Sequence, residues 1–256
     1  MNFDSLDISI LGPAFVAGLL VLSTHVPLGQ EVLRRGIIFI DLAIAQIAGL
    51  GIIAAASFGW EAHGWEVQVV AVTAALLGAV LLNQCEKWLP DIEEALIGVL
   101  FVLAATGGIL LLANNPHGGE HLKQLLVGQI LWVSYQQLIP IAILYAAVLA
   151  VWFGLRVKQR RLGFYALFAI TVTASVQLVG VYLVFASLII PSLATRLLPD
   201  IQRLWFGYVI GLLSYALGLA LSALFDLPSG AIVVWMLAGV ALLFGILVNK
   251  RVPGSL

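Results

Sequence analysis

His117 and His121 stand four residues apart in "NNPHGGEHLKQ", with Glu120 directly before the second. Imidazole and carboxylate groups ligate zinc and other first-row divalent ions, and His-Gly-Gly-Glu-His has the order of an inverted zinc-protease signature. Hydrolysis would need the histidines on a firm helix, a third ligand and a catalytic carboxylate. Gly118 and Gly119 oppose such a helix, each costing about 1 kcal/mol relative to Ala, so an intramembrane metalloprotease is disfavoured. Two readings remain. In one, His117, Glu120 and His121 form a weak two- or three-ligand station that receives a metal and passes it on, and His63 in "WEAHGWE" could join it. In the other, a helix begins near Glu120, whose charge is favoured by the positive end of the helix dipole by about 0.3–1 kcal/mol and balanced by Lys123.

A second set of polar residues interrupts apolar runs. Asp41 lies six residues past Arg35 in "RRGIIFIDLAIAQIAGLG", roughly 9 Å into a helix at 1.5 Å per residue. An ionisable group at that depth in lipid needs a cavity or a partner. Either Asp41 lines a translocation path, or it pairs with Arg34 on the same helix face. Gln46 lies deeper with no such partner. In "TVTASVQLVG" Thr173 and Gln177 share one face, and Thr171 and Ser175 another, so part of this helix lines a path or a helix interface. His25 is isolated and is read as structural. Cys85 is the single cysteine, which forbids an intrachain disulfide and a cysteine-based metal site; it is read as a small half-buried side chain near a helix end. No phosphate-binding Gly-x-x-x-x-Gly-Lys-Ser/Thr occurs, so the chain does not hydrolyse ATP itself.

The elements that carry these residues are membrane helices. The chain is 62% hydrophobic and 10% charged, with a mean hydropathy of +1.10, too little charge for a water-facing surface. Apolar runs long enough to cross a bilayer fall near 8–26, 36–58, 66–84, 95–113, 137–155, 162–178, 180–198, 204–225 and 229–248. The expected fold is therefore an all-α polytopic membrane protein of nine spans, forming one transmembrane domain over residues 1–256. Eight would follow if 8–35 dips without crossing. The pair within 162–198 is one long run broken at Gly180 and Pro191, and 123–134 is too short to cross, reading as an interfacial or re-entrant helix. All but one of the twelve Lys and Arg residues fall on alternate loops; the exception is Lys123. By the positive-inside rule the basic side is cytoplasmic. This puts the N-terminus outside, the C-terminus inside, and His63, His117 and His121 on the outer face. "MNFDSLDISI" lacks a basic start and does not read as a cleaved signal peptide. Gly207, Gly211, Ser214, Gly218 and Ser222 make a small-residue stripe suited to close helix packing, within the chain or between subunits.

Four segments together resemble the membrane permease subunit of the zinc/manganese ABC importers: "HVPLGQEVLRRGIIFIDLAIAQIAGLG", "LLVGQILWVS", "VQLVGVYLVFASLIIPSLATRLL" and "DLPSGAIVV". They occur in the family's order along nearly the whole chain. The resemblance implies an all-α permease paired as a homodimer around a central path in a bacterial inner membrane. Its implied partners are a separate ATPase subunit and an extracytoplasmic metal-binding protein; no nucleic-acid partner is expected. It also implies a transported divalent metal, zinc or manganese, and no resident cofactor. Two departures stand out. Where the family often reads Gly-Asp-Ala-Ile-x-His, this chain places Asp41 at the Gly, Leu42 at the Asp and Gln46 at the His, and Gln is a poor zinc ligand. Between the fifth and sixth spans only "RVKQRR" remains where the family carries a longer segment that docks on the ATPase. Coupling is then expected at Asn83–Glu94 or Arg196–Arg203, or is absent as in a channel-like relative. An importer of cobalamin or an iron chelate is the alternative transport reading.

Overall fold

A computed structural model describes residues 7–58, 60, 64–113, 115, 118–155 and 161–249. Ten α-helices account for most of them: α1 Ile8–Arg35, α2 Ile40–Ser57, α3 Trp65–Trp88, α4 Glu93–Leu112, α5 Gly118–Val127, α6 Tyr135–Gly154, α7 Arg161–Val179, α8 Val181–Thr195, α9 Asp200–Phe225 and α10 Ser229–Asn249. Among the described residues there is no strand. A lipid-facing backbone must satisfy its own hydrogen bonds, which helices do internally.

The helix ends follow from local chemistry. Asp7 caps α1 by accepting the Ser9 N–H at 2.8 Å, a bond that holds its carboxyl below the ordinary value. Ser134 and Gln137 form a reciprocal capping box at the start of α6, satisfying two backbone donors at once. Gly36, with φ 75°, ends α1 in the left-handed conformation that glycine adopts without penalty.

Eight of the described helices are long and apolar enough to cross a membrane, and the ninth expected span is the short helix α8, which runs from the α5 end of the bundle to the basic end. α1 is a full-length candidate, whereas the run 180–198 folds as α8, a helix of 15 residues. At 1.5 Å per residue that is about 22 Å, short of the roughly 30 Å hydrocarbon core. The break expected at Gly180 is present, with φ 82° and ψ 161°; Pro191 sits inside α8 and does not interrupt it.

Close approaches at glycines set the packing. A Cβ on Gly29 of α1 would lie 1.9 Å from the Leu188 carbonyl of α8, so these helices meet backbone to backbone. The stripe on α9 is consumed within the chain: Gly211 receives Leu22 and Gly207 receives Val26 of α1, while Gly218 receives Val233 of α10. Ser214 of α9 donates to the Met236 carbonyl of α10 at 3.3 Å. Elsewhere α2 packs on α3 and α4, and α3 packs on α7.

One end of the bundle is basic. Arg34 and Arg35 bind Glu31 at 2.6 and 2.8 Å, and Arg161 meets Glu86 at 3.4 Å. Arg34, Arg196 and Arg203 border one shallow cleft. α5, carrying Lys123, lies at the other end, against the break between α7 and α8.

The expected pairing of Arg34 with Asp41 does not form. Gly36 ends α1, so the two residues belong to different helices, and Glu31, one turn before Arg34, takes the guanidinium. Asp41 is therefore not deep within a span; it lies in the first turn of α2.

Candidate translocation groove

A groove of about 650 Å³ runs along one face of the bundle. Leu42 and Gln46 of α2 form its floor, with Phe101 and Ile109 of α4 on one side and Phe185 and Ile190 of α8 on the other. Ala231 and Trp235 of α10 complete the wall, and Leu122 and Leu126 of α5 close one end. Leu42 and Gln46 share the groove because positions four apart fall on one helix face.

α5 is held at that end by three glycines. A Cβ on Gly128, just past α5, would stand 2.1 Å from the Val179 carbonyl, and one on Gly180 would stand 2.3 Å from the Gly128 nitrogen. Both glycines have positive φ. Gly230, at the start of α10, approaches the Val127 carbonyl with the same intimacy, 2.5 Å. Leu125 fills the space beside Gly49 of α2. The short helix expected between residues 123 and 134 thus begins earlier, at Gly118, where a Cβ would crowd the Leu112 carbonyl at 2.7 Å.

The residues singled out in the sequence are dispersed. Gln46 is buried at 5% exposure and lines the groove. Asp41 is 1% exposed and is not among the lining residues. Its Oδ1 accepts the Leu42 N–H at 2.8 Å, while Oδ2 is buried without a hydrogen-bond partner. Thr173 is buried and donates to the Ala169 carbonyl at 2.7 Å. Gln177, exposed near the end of α7, accepts from the Gln68 amide of α3. Together with the buried Tyr145–Ser175 hydroxyl pair, these contacts give the polar face of α7 a helix-packing role. Glu120 and His121 are exposed in the first turns of α5. His63 and His117 lie outside the described residues, and among the described residues no three His, Cys, Asp or Glu side chains converge to hold a metal. His25 is fully buried, its Nδ1 2.9 Å from the Val21 carbonyl. Cys85 is half-buried near the end of α3, as its position suggested.

Sequence reading missed the clamp at the basic end. Tyr165 of α7 donates to Glu93 at 2.8 Å, Glu94 accepts the Phe39 N–H at 3.3 Å, and the Arg35 guanidinium lies 4.3 Å from the centre of the Phe164 ring. A carboxylate pair three residues after Pro90, in the first turn of α4, was the available signal, since acidic residues are favoured in a first helical turn.

The ABC 3 transport family model matches residues 7–156 and 146–248. The chain belongs to the ABC 3 transport family. Its similarity to the manganese transport system membrane protein MntC of Halalkalibacterium halodurans is 28% identity, covering 91% of this chain and 85% of that protein. The high-affinity zinc uptake system membrane protein ZnuB of Haemophilus influenzae is 25% identical over 88% of this chain and 92% of its own length. Among solved structures, PsaBC from Streptococcus pneumoniae in complex with Fab superposes with a TM-score of 0.73 at 19% identity, over 91% of this chain and 90% of that one. An inward-facing putative metal-chelate type ABC transporter superposes with a TM-score of 0.66 at 18% identity, over 93% and 85%. The fold of this family member is thus that of ABC permeases, and the groove lies in its membrane-spanning bundle.

Proposed function

We propose that this ABC 3 family chain is the permease subunit of a bacterial importer for a divalent transition metal, zinc or manganese. The observation that carries the reading is the family match along nearly the whole chain, with manganese and zinc transport proteins among the relatives that align end to end. Two copies pair across the groove, so that Leu42, Gln46 and their neighbours wall a central path. The open, apolar face supports this, because its exposed Trp235, Tyr182 and Ile109 suit a covered surface.

The basic end is cytoplasmic, and α5 faces outward, where an extracytoplasmic metal-binding protein delivers the ion. Glu120 and His121 stand at that mouth, and with His117 they form the weak receiving station; His63 is its fourth candidate. Asp41 lies buried beside the inner end of the path, in the first turn of α2, without lining the groove. No cofactor resides in the chain, and a separate ATPase supplies the energy.

That ATPase docks on two segments. The turn between α3 and α4 exposes Trp88, Leu89 and Ile92 on a base braced by the Glu86–Arg161 and Glu93–Tyr165 contacts. The turn before α9 is fixed by the Arg203 guanidinium on the Leu198 carbonyl at 3.0 Å. Co-purification with the ATPase and binding protein, followed by metal-stimulated ATP hydrolysis in proteoliposomes, tests the reading. Hydrolysis indifferent to every divalent metal and to the binding protein overturns it.

A further inference from the structure

Where α3, α4 and α7 meet at the basic end, hydrogen-bond acceptors outnumber donors. Among the described residues six buried side-chain atoms lack a hydrogen-bond partner, and four of them are oxygens of Asp41, Asn83, Glu86 and Glu94. Asn83 and Glu86 lie one turn apart on the same face of α3. Glu86 and Glu93 flank one hydroxyl: Tyr165 donates to Glu93 at 2.8 Å, and the Glu86 carboxylate is close enough to act on the same oxygen. Asn83 is aimed at this spot from inside the bundle. α3 and α7 run antiparallel, with Gln68 on Gln177 at one end and Glu86 on Arg161 at the other. One turn in from that second pair, Asn83 comes level with Tyr165. Asn83 is 3% exposed, and its Oδ1 has no partner.

Buried acceptors without donors are costly, and Glu93 also feels the like charges of Glu86 and Glu94. Arg161 offsets part of this: it lies 3.4 Å from Oε1 of Glu86 with 55% of its side chain exposed, and Oε2 of the same carboxylate stays unmet. The nearby Arg35 guanidinium is taken by Glu31. The missing element is a positive charge that accepts oxygen donors. Two carboxylates and an amide oxygen, with no imidazole or thiolate, form a hard donor set. Mg²⁺ is commonly held by one or two carboxylates while it keeps several waters. Glu86, with 17% of its side chain exposed, leaves an opening to solution for those waters. We propose that Glu86, Glu93 and the Asn83 Oδ1 hold a magnesium ion that ties α3 to α4 at the base of the turn between them. The ion is a structural tie, distinct from the cargo, and takes part in no chemistry. Its site rests on this geometry alone; that it steadies a surface offered to the ATPase rests on the import reading above.

Mn²⁺, which is paramagnetic and takes the same oxygen donors, is the probe. The full chain in lipid nanodiscs carries a nitroxide at Trp88→Cys on a Cys85→Ala background; Trp88 is exposed and stands two residues from Glu86. Added Mn²⁺ is expected to lower the nitroxide signal saturably, and excess Mg²⁺ to restore it. Glu86→Gln/Glu93→Gln, which keeps the shapes and removes both charges, is expected to raise the Mn²⁺ concentration for half effect about tenfold or more. Asn83→Leu is expected to raise it in the same direction. No saturable loss of signal, no restoration by Mg²⁺, or an unchanged half effect in the double variant overturns the site. If the double variant gives no monodisperse protein, Asn83→Leu decides alone, and an unchanged half effect there overturns the site equally. The measurement needs neither ATPase nor transport, so failure of the import reading leaves its outcome intact.

Discussion

Gly180→Ala is expected to be among the most damaging single-methyl additions in this protein. Two independent terms contribute. The backbone at φ 82° and ψ 161° lies in a region open essentially to glycine alone, and a side chain there costs about 1–3 kcal/mol. The added Cβ would also stand 2.3 Å from the Gly128 nitrogen and 2.6 Å from the Val127 carbonyl carbon. Both are backbone atoms, so no rotamer change relieves the overlap, and overpacking of this kind costs about 1–3 kcal/mol more. The sum is about 2–6 kcal/mol, comparable to a large part of a folded protein's net stability. Gly98→Ala is the control: it lies within α4 with ordinary φ and nothing within 4 Å of the new Cβ, so it should be neutral or gain up to about 1 kcal/mol. Thermal unfolding in detergent, followed by loss of the monodisperse size-exclusion peak, reads both variants. A Gly180→Ala protein as stable as wild type, or a Gly98→Ala protein destabilised as strongly, would refute the reasoning.

Further outcomes follow from the same geometry. On a Cys85→Ala background, Trp88→Cys should resist an impermeant thiol reagent in intact spheroplasts while His121→Cys reacts; the reverse pattern inverts the orientation. Glu31→Ala should lower stability by about 1–3 kcal/mol, because it removes the carboxylate shared by Arg34 and Arg35; an unchanged melting curve would show that the shared contact contributes nothing. Tyr145→Phe, which removes the hydroxyl paired with Ser175, should lose about 0.5–1.5 kcal/mol, the net worth of one buried hydrogen bond, as read by the same melting assay. A His117→Ala/His121→Ala double variant should slow metal uptake at limiting supply with normal membrane expression. Full uptake there would reject the receiving station.

The helices were legible because apolar length is set directly by the bilayer, and every long run in the sequence became a helix. The number of crossings was harder to read. The run through Gly180 and Pro191 looks the same in composition on either side of the break, and only backbone geometry shows that α8 is short. Asp41 illustrates a different limit. Its spacing from Arg34 suits one continuous helix, and the left-handed turn at Gly36 cancels the argument. Gln46 was legible as a deep polar residue; its place in a groove came from α4, α5, α8 and α10, which no local pattern connects. The α7 hydroxyls were read with two options open, and the contacts of Thr173 and Gln177 favour packing because their hydrogen bonds close within α7 or onto α3.

The seat of α5 also imposes an order on assembly. Val127 and Gly128 rest against Val179 and Gly180 on one side and Gly230 on the other, and those residues emerge from the ribosome later. At roughly 5–20 residues per second, the about one hundred residues separating Gly128 from Gly230 take on the order of 5–20 s to synthesise. During that interval α5 can lean on α2 through Leu125 and Gly49 but lacks its full seat, and its Leu122 and Leu126 must be sheltered by the membrane surface or by the insertion machinery. A nascent chain halted before α10 would therefore display an unseated α5, open to proteases that the finished protein resists.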